Sequence, residues 1–256
     1  MLRHVFRRDQ TNVGDWYCPP FRYFDLGGEG PYDIHSVPVF EEGDDVILGG
    51  GGVIAKSFAP HMEALTAQRP RLRRMIAWGV GESLNVDKSG GLVAPWNGPL
   101  PDYLKAFDLV GVRDFGTENA WVPCASCMLG QFDRSYEVSQ EIVIYDHKRI
   151  PIPIDGFPRR SNDGDDIDAT LAFLASAELV ITNSYHGAYW ATLLGRRVIA
   201  IPNMSKIYRM KHAPVICRPD MWRRYADAAV AYPQALAECR KANRDFCGQV
   251  KALLAS

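Results

Sequence analysis

The feature that most constrains this chain is its alternation of short apolar runs with helical patterns, each run closing in glycine or a polar cluster. Leu2 to Phe6, Asp45 to Leu48, Met75 to Trp78 and Leu109 to Arg113 read as strands in the first half. Glu141 to Tyr145, Glu178 to Thr182 and Arg197 to Ile201 restart the pattern in the second, the last closing the sheet at Pro202. After a loop, Gln10 to Asp15, a helix is expected to Tyr23, and further helices from Phe58 to Gln68, Asp166 to Ala177, Gly187 to Gly195, Ala226 to Val230 and Gln234 to Leu254. Strands alternating with helices predict an α/β fold of βα units around mainly parallel sheets. A weak boundary near Gln131–Gln140 divides the chain into lobes 1–135 and 136–256, the second carrying the terminal helices.

Composition removes several function classes. The 29 Lys and Arg against 30 Asp and Glu leave a net charge of −1, so no global field draws in nucleic acid or an acidic membrane. With 47% apolar and 23% charged residues the chain is neither disordered nor a coiled coil. The N-terminal Met1-Leu-Arg-His-Val-Phe-Arg-Arg lacks an apolar signal core, and no apolar run reaches the roughly 18–20 residues of a spanning helix. A cytoplasmic protein with reduced thiols is expected. The six cysteines include one CxxC, Cys124-Ala-Ser-Cys127, which without a second pair reads as packing.

Ligands of open α/β sheets bind beyond the carboxyl ends of strands. Asn12-x-Gly14-Asp15, Gly49–Gly52, Gly79-x-Gly81, Arg113-Asp114 and Asn183-Ser-Tyr-His-Gly187 all fall at such ends, which predicts a ligand-handling cleft. The glycine run admits backbone N–H groups to a phosphate, or is a tight turn packed on the second lobe. Gly79-x-Gly81 lacks the third glycine of a dinucleotide fingerprint, and no GxxxxGK[ST] occurs. Arg113 ends an apolar strand, so it either pairs with Asp114 or a nearby carboxylate, or reaches the cleft. His186 stands in the first turn of a helix, whose field favours bound anions and lowers an imidazole pKa. The alternative is a capping or core histidine. Histidines 4, 35, 61, 147 and 212 lie in no comparable setting, although His147 adjoins Lys148 and Arg149. No acidic cluster suits a metal.

Together these motifs, with the block Leu174 to Ile201, resemble the polysaccharide pyruvyl transferase family in the right order over most of residues 1–210. The resemblance implies two Rossmann-like lobes with a cleft between them, as in GT-B glycosyltransferases. It implies transfer of a pyruvyl group from phosphoenolpyruvate, the donor substrate, to a sugar of an exopolysaccharide or lipid-linked glycan, with ketal formation and phosphate release. No cofactor, metal or nucleic acid is implied. His186 and Arg113 match the residues tied to phosphoenolpyruvate and are the expected catalytic pair. Asn12, Asp15, Gly50, Gly51, Asn183, Ser184, Tyr185, Gly187 and Lys206 are the expected substrate-binding set. Backbone N–H groups at Gly187 and in Gly49–Gly52 would hold the anion. Ser184 stands where some members carry an arginine, and Val122-Pro123-Cys124 where a Pro-Asp segment is usual. A lipid-borne acceptor further implies peripheral contact at the inner membrane face, with Arg69–Arg74 and Arg218–Arg224, beside Met221, Trp222 and Tyr225, as candidates. The rival readings are a GT-B glycosyltransferase using a nucleotide sugar and a non-catalytic glycan-assembly protein on the same scaffold.

Overall fold

The computed structural model of the protein describes residues 1–87 and 92–256. In chain order its strands and α-helices are β1 (Leu2–Phe6), α1 (Val13–Trp16), β2 (Glu29–Asp33), β3 (Asp45–Gly49), α2 (Ala59–Thr66), β4 (Arg74–Val80), β5 (Leu109–Val112) and β6 (Ala120–Trp121), followed by β7 (Gln140–Asp146), β8 (Arg159–Ser161), α3 (Ile167–Ala175), β9 (Ala177–Thr182), α4 (Tyr185–Leu193), β10 (Arg197–Ala200), β11 (Val215–Ile216), α5 (Trp222–Tyr225) and α6 (Ala235–Ala255). They build two sheets, ordered β2-β1-β3-β4-β5-β6 and β11-β10-β9-β7-β8. Every pairing within both is parallel. The class expected from the alternation is therefore present. The unbroken apolar character of β3, buried along its length, is what a strand covered on both faces requires.

Four strands escape the sequence reading, and all four are sheet edges: β2, β6, β8 and β11. An edge strand pairs on one side only and needs no apolar run. The Glu-Gly-Pro-Tyr-Asp of β2 places a proline where an edge tolerates it. Arg197–Ala200 consequently does not close its sheet, because β11 pairs beyond it. In place of the helix expected between Asp15 and Tyr23 there is only a 3-10 turn at Pro20–Arg22, while α1 falls mostly in the segment expected as a loop. Pro19 and Pro20 cause this, since proline lacks the N–H of a helix interior and restrains the residue before it. The helix expected at Ala226–Val230 is likewise only a 3-10 turn, Ala226–Ala228, following α5.

The terminal helix α6 returns to the first sheet rather than staying with the second half. Phe246, Cys247 and Val250 pack on Leu2, Ile47, Ile76 and Trp78. The Trp78 and Phe246 rings meet edge to face at 5.2 Å, and Trp78 Nε1–H donates to Asn243 Oδ1 at 2.9 Å. The other end of α6 places Ala235 and Cys239 in a core shared by both halves, with Phe6, Val13, Cys124, Cys127, Tyr185 and Trp190. The CxxC thiols are free and buried within that core.

Among the described residues no helix is long and apolar enough to cross a membrane. The stretches expected at a membrane surface are partly engaged. Trp222 is a core side chain, 5% exposed and edge-on to Phe157. Arg69, Arg73 and Arg218 pair with Asp108, Asp45 and Asp220.

Candidate active site

Arg113 follows β5, and its buried side chain is only 3% exposed. Its guanidinium carbon lies 3.8 Å from the centroid of the Tyr185 ring, the geometry of a cation–π contact. Nε and one terminal nitrogen have no hydrogen-bond partner among the described residues. Glycine makes the space: a Cβ on Gly81 would sit 2.0 Å from Nε, and one on Gly52 3.1 Å from Nη2. The alternative of a pairing with Asp114 is not realised among the described residues. Asp114 Oδ2 accepts the Glu82 N–H at 2.7 Å, and Oδ1 has no partner among the described residues. Burial, with the neighbouring Glu82 charge, pushes the Asp114 carboxyl up to about 7 despite Arg113 and the Glu82 N–H. A desolvated guanidinium with unfilled donors is costly, and an anion brought to it relieves that cost.

His186 is set by the start of α4. Ser184 caps the helix, its Oγ accepting the Gly187 N–H at 3.4 Å. The imidazole is 6% exposed, edge-on to Tyr185 and against Trp190 at 5.0 Å. Nε2 lies 3.5 Å from Cys124 Sγ, while Nδ1 faces Gly14, where a Cβ would come within 2.0 Å. Burial first, then Arg113 and Lys206, hold its pKa well below the ordinary 6.5. The ring is therefore neutral at neutral pH.

Lys206 comes from a 3-10 turn, Ser205–Ile207, clamped to the first half. Ser205 Oγ donates to Glu82 Oε2 at 2.6 Å, and the Ser205 N–H donates to Asn85 O at 2.9 Å. The ammonium makes no hydrogen bond or ion pair among the described residues. Burial and Arg113 lower it to about 8, against Asp15 and Glu82. Asp15 is raised by burial and held back by Lys206 and Arg113. Its Oδ2 accepts from Asn12 Nδ2 at 2.8 Å, and Asn12 Oδ1 caps α1 through the Gly14 N–H.

Asn12, Asp15, Gly52 and Lys206 line a cavity of about 950 Å³ with Arg7, Lys56, Phe58, Asn85, His147 and Arg149 among its other walls. Arg113 and His186 are not in its lining. Gly52, on the cavity wall, adjoins Arg113, since a Cβ there would lie 3.1 Å from Nη2, and Gly14, between Asn12 and Asp15, adjoins His186. On its other side Arg113 borders a crevice of about 10 Å³ with Tyr185, Tyr189 and Lys211, room for about one water.

The fold thus brings Asn12, Asp15, Arg113, Tyr185, His186 and Lys206 together. The remaining expected binding residues face other partners. Gly50 (φ +70°) is pressed on Cys18, and its N–H donates to Trp78 O at 2.8 Å. Gly51 gives its carbonyl to the Gly81 N–H at 3.0 Å. Gly187 lets α4 approach Tyr145 and Thr182, and its N–H is taken by Ser184. Asn183 uses both ends of its amide on the turn after β7. His147 and Arg149, on that turn, were passed over. The rule that placed the other motifs at strand ends finds them, since β7 ends at Asp146.

A crystal structure from Klebsiella pneumoniae subsp. pneumoniae, of a "functional uncharacterized protein", is similar with a TM-score of 0.51 and 16% identity, over 78% of this chain and 83% of that chain. At that identity the likeness is one of fold. No curated protein matches. The family model for polysaccharide pyruvyl transferase matches residues 2–205, from β1 through the turn that carries Ser205, and the chain belongs to that family of transferases.

Proposed function

We propose that the protein transfers the pyruvyl group of phosphoenolpyruvate to two hydroxyls of a sugar in an exopolysaccharide or lipid-linked precursor, releasing phosphate. The single observation that carries this reading is the unpartnered, buried guanidinium of Arg113 beside Lys206 and His186. In this reading the two parallel sheets are two Rossmann-like lobes, 1–135 and 136–256, arranged as in GT-B enzymes with the cavity between them. A cytoplasmic site of action fits this donor.

The donor carries a carboxylate and a phosphate. Arg113 binds one of them through paired N–H groups, and Lys206 neutralises the other. Burial first, and then their fields, keep His186 neutral before substrate binds. An arriving polyanion reverses that field, so the imidazole takes up a proton and becomes a general acid. It delivers the proton to the methylene carbon while a sugar oxygen attacks C2, and Asp15, on the cavity wall, accepts the hydroxyl proton. A second hydroxyl then forms its own bond to C2 as the C2–O bond to phosphate breaks. The proton of that hydroxyl leaves with the phosphate. One donor and two hydroxyls become one ketal and one phosphate.

Phosphate release from phosphoenolpyruvate in the presence of fractionated lipid-linked glycans tests the reaction. Calorimetry should show phosphoenolpyruvate binding that Arg113→Ala weakens. Equal affinity in the variant, or tighter binding of a nucleoside diphosphate than of phosphoenolpyruvate, overturns the assignment.

A further inference from the structure

The turn after β7 is held more firmly than a surface loop needs. Asn183 Oδ1 accepts the His147 N–H at 2.6 Å, and Asn183 Nδ2 donates to Ile150 O at 2.7 Å. The Lys148 N–H donates to Asn162 Oδ1 at 2.7 Å, and its Nζ donates to Thr11 O at 2.5 Å and Thr11 Oγ1 at 2.6 Å in the first half. Within this frame the Arg149 N–H donates to His147 Nδ1 at 3.2 Å. A backbone amide can only donate, so Nδ1 carries the lone pair and Nε2 the hydrogen. Nε2 has no partner among the described residues, and His147 lines the 950 Å³ cavity.

The charged groups around this imidazole are Lys206 from the facing segment and Arg149 and Lys148 from its own turn. Burial first, and then these cations, bring it down to about 4. The nearby carboxylates, Asp9 and Asp163, face Lys148 at 3.8 and 3.9 Å. The side chains of Arg149 and Lys206 have no hydrogen-bond or ion-pair partner among the described residues.

We infer that His147 is a fixed, neutral hydrogen-bond donor of the cavity, that Asn183 positions it, and that its partner is an anionic oxygen of a bound substrate. This deepens the transferase reading above and rests on it for the identity of the substrates. The partner must accept, because Nε2–H can only donate. Two unpaired cations beside it favour a charged acceptor over a hydroxyl. Phosphate or carboxylate is the shared chemistry, and either the donor or an acidic group on the glycan can supply it.

Imidazole ¹⁵N spectra, with His147 identified by the signal lost in His147→Ala, test the device without turnover. The expected pattern is a protonated Nε2 that does not titrate between about pH 5.5 and 8. Inorganic phosphate, used as the probe, should shift that signal. In Asn183→Ala the pattern should become a mixture of tautomers and start to titrate. In steady state, losing a hydrogen bond to a charged group should raise one KM about tenfold or more in His147→Ala, with kcat nearly kept. His147→Gln, which retains an N–H donor, should recover part of the loss. A rise in the KM for phosphoenolpyruvate makes the donor the source of the oxygen; a rise in the acceptor KM makes it the glycan. A protonated Nδ1, titration above pH 6, or a signal unmoved by phosphate with both KM values within twofold overturns the inference. A phosphate-sensitive signal with no turnover of phosphoenolpyruvate upholds the donor while removing the transferase reading.

Discussion

The two sheets shape the site by opposite means. At the ends of β3 and β4 the first sheet removes side chains: Gly52 and Gly81 leave the volume that the Arg113 guanidinium fills. At the ends of β7 and β9 the second sheet adds side chains that take up backbone groups. Thr182 Oγ1 donates to Tyr145 O at 2.6 Å, Ser184 caps α4, and Asn183 straps the turn carrying His147. The difference shows that a glycine-rich turn at a strand end is not by itself an anion nest. The Gly50 and Gly187 N–H groups already have protein partners. Positive charge in this site comes from side chains that the glycines admit.

The largest effect expected on either side of this comparison is at His186. His186→Ala and His186→Gln should fold and lose about 10²–10⁴-fold in phosphate release. Retention of a tenth of the rate would remove His186 as the proton donor.

Next comes the space reserved for Arg113. Gly81→Ala puts a methyl 2.0 Å from Nε and should cost about 1–3 kcal/mol in denaturant unfolding, together with phosphoenolpyruvate affinity. If stability and affinity are both unchanged, the glycine does not reserve that volume.

Asp114 gives an effect with a definite sign. Its carboxyl keeps its proton up to about 7 in the folded protein and only to 3.8 unfolded. Between these values the folded state binds more protons, so this group's contribution to stability falls as pH rises from about 4 to 7. Asp114→Asn retains an oxygen for the Glu82 N–H and lacks that slope. Urea midpoints of variant and wild type should therefore diverge in the variant's favour across the window, and parallel midpoints would contradict the raised value.

The smallest change expected is from Gly52→Ala, whose methyl meets the end of a flexible side chain at 3.1 Å. Its cost should be less than about 1 kcal/mol and well below that of Gly81→Ala. An equal loss in both variants would mean the turn itself, not Arg113, is sensitive.

Much of this architecture is readable along the chain. Apolar runs marked seven strands, and the strand-end rule located Arg113 and His186, because burial on both faces of a parallel sheet writes itself into consecutive residues. Edge strands leave no such mark, and β2, β6, β8 and β11 were invisible for that reason. Trp222 looked interfacial beside its arginines, yet Phe157, 65 positions earlier, covers it.

The amino-acid order by itself determined the parallel α/β class, the family and the two residues nearest the proposed chemistry, since these depend on local periodicity and on motifs of a few residues. Only the tertiary structure decided which polar groups stay free for a ligand. Ser205 meets Glu82 across 123 positions and so sets Lys206 in the cavity wall. Asn183 meets His147 across 36 and so joins the positioning of the turn. A hydrogen-bonding group is available or taken according to what the fold brings within about 3 Å of it, and that distance is not written in sequence spacing.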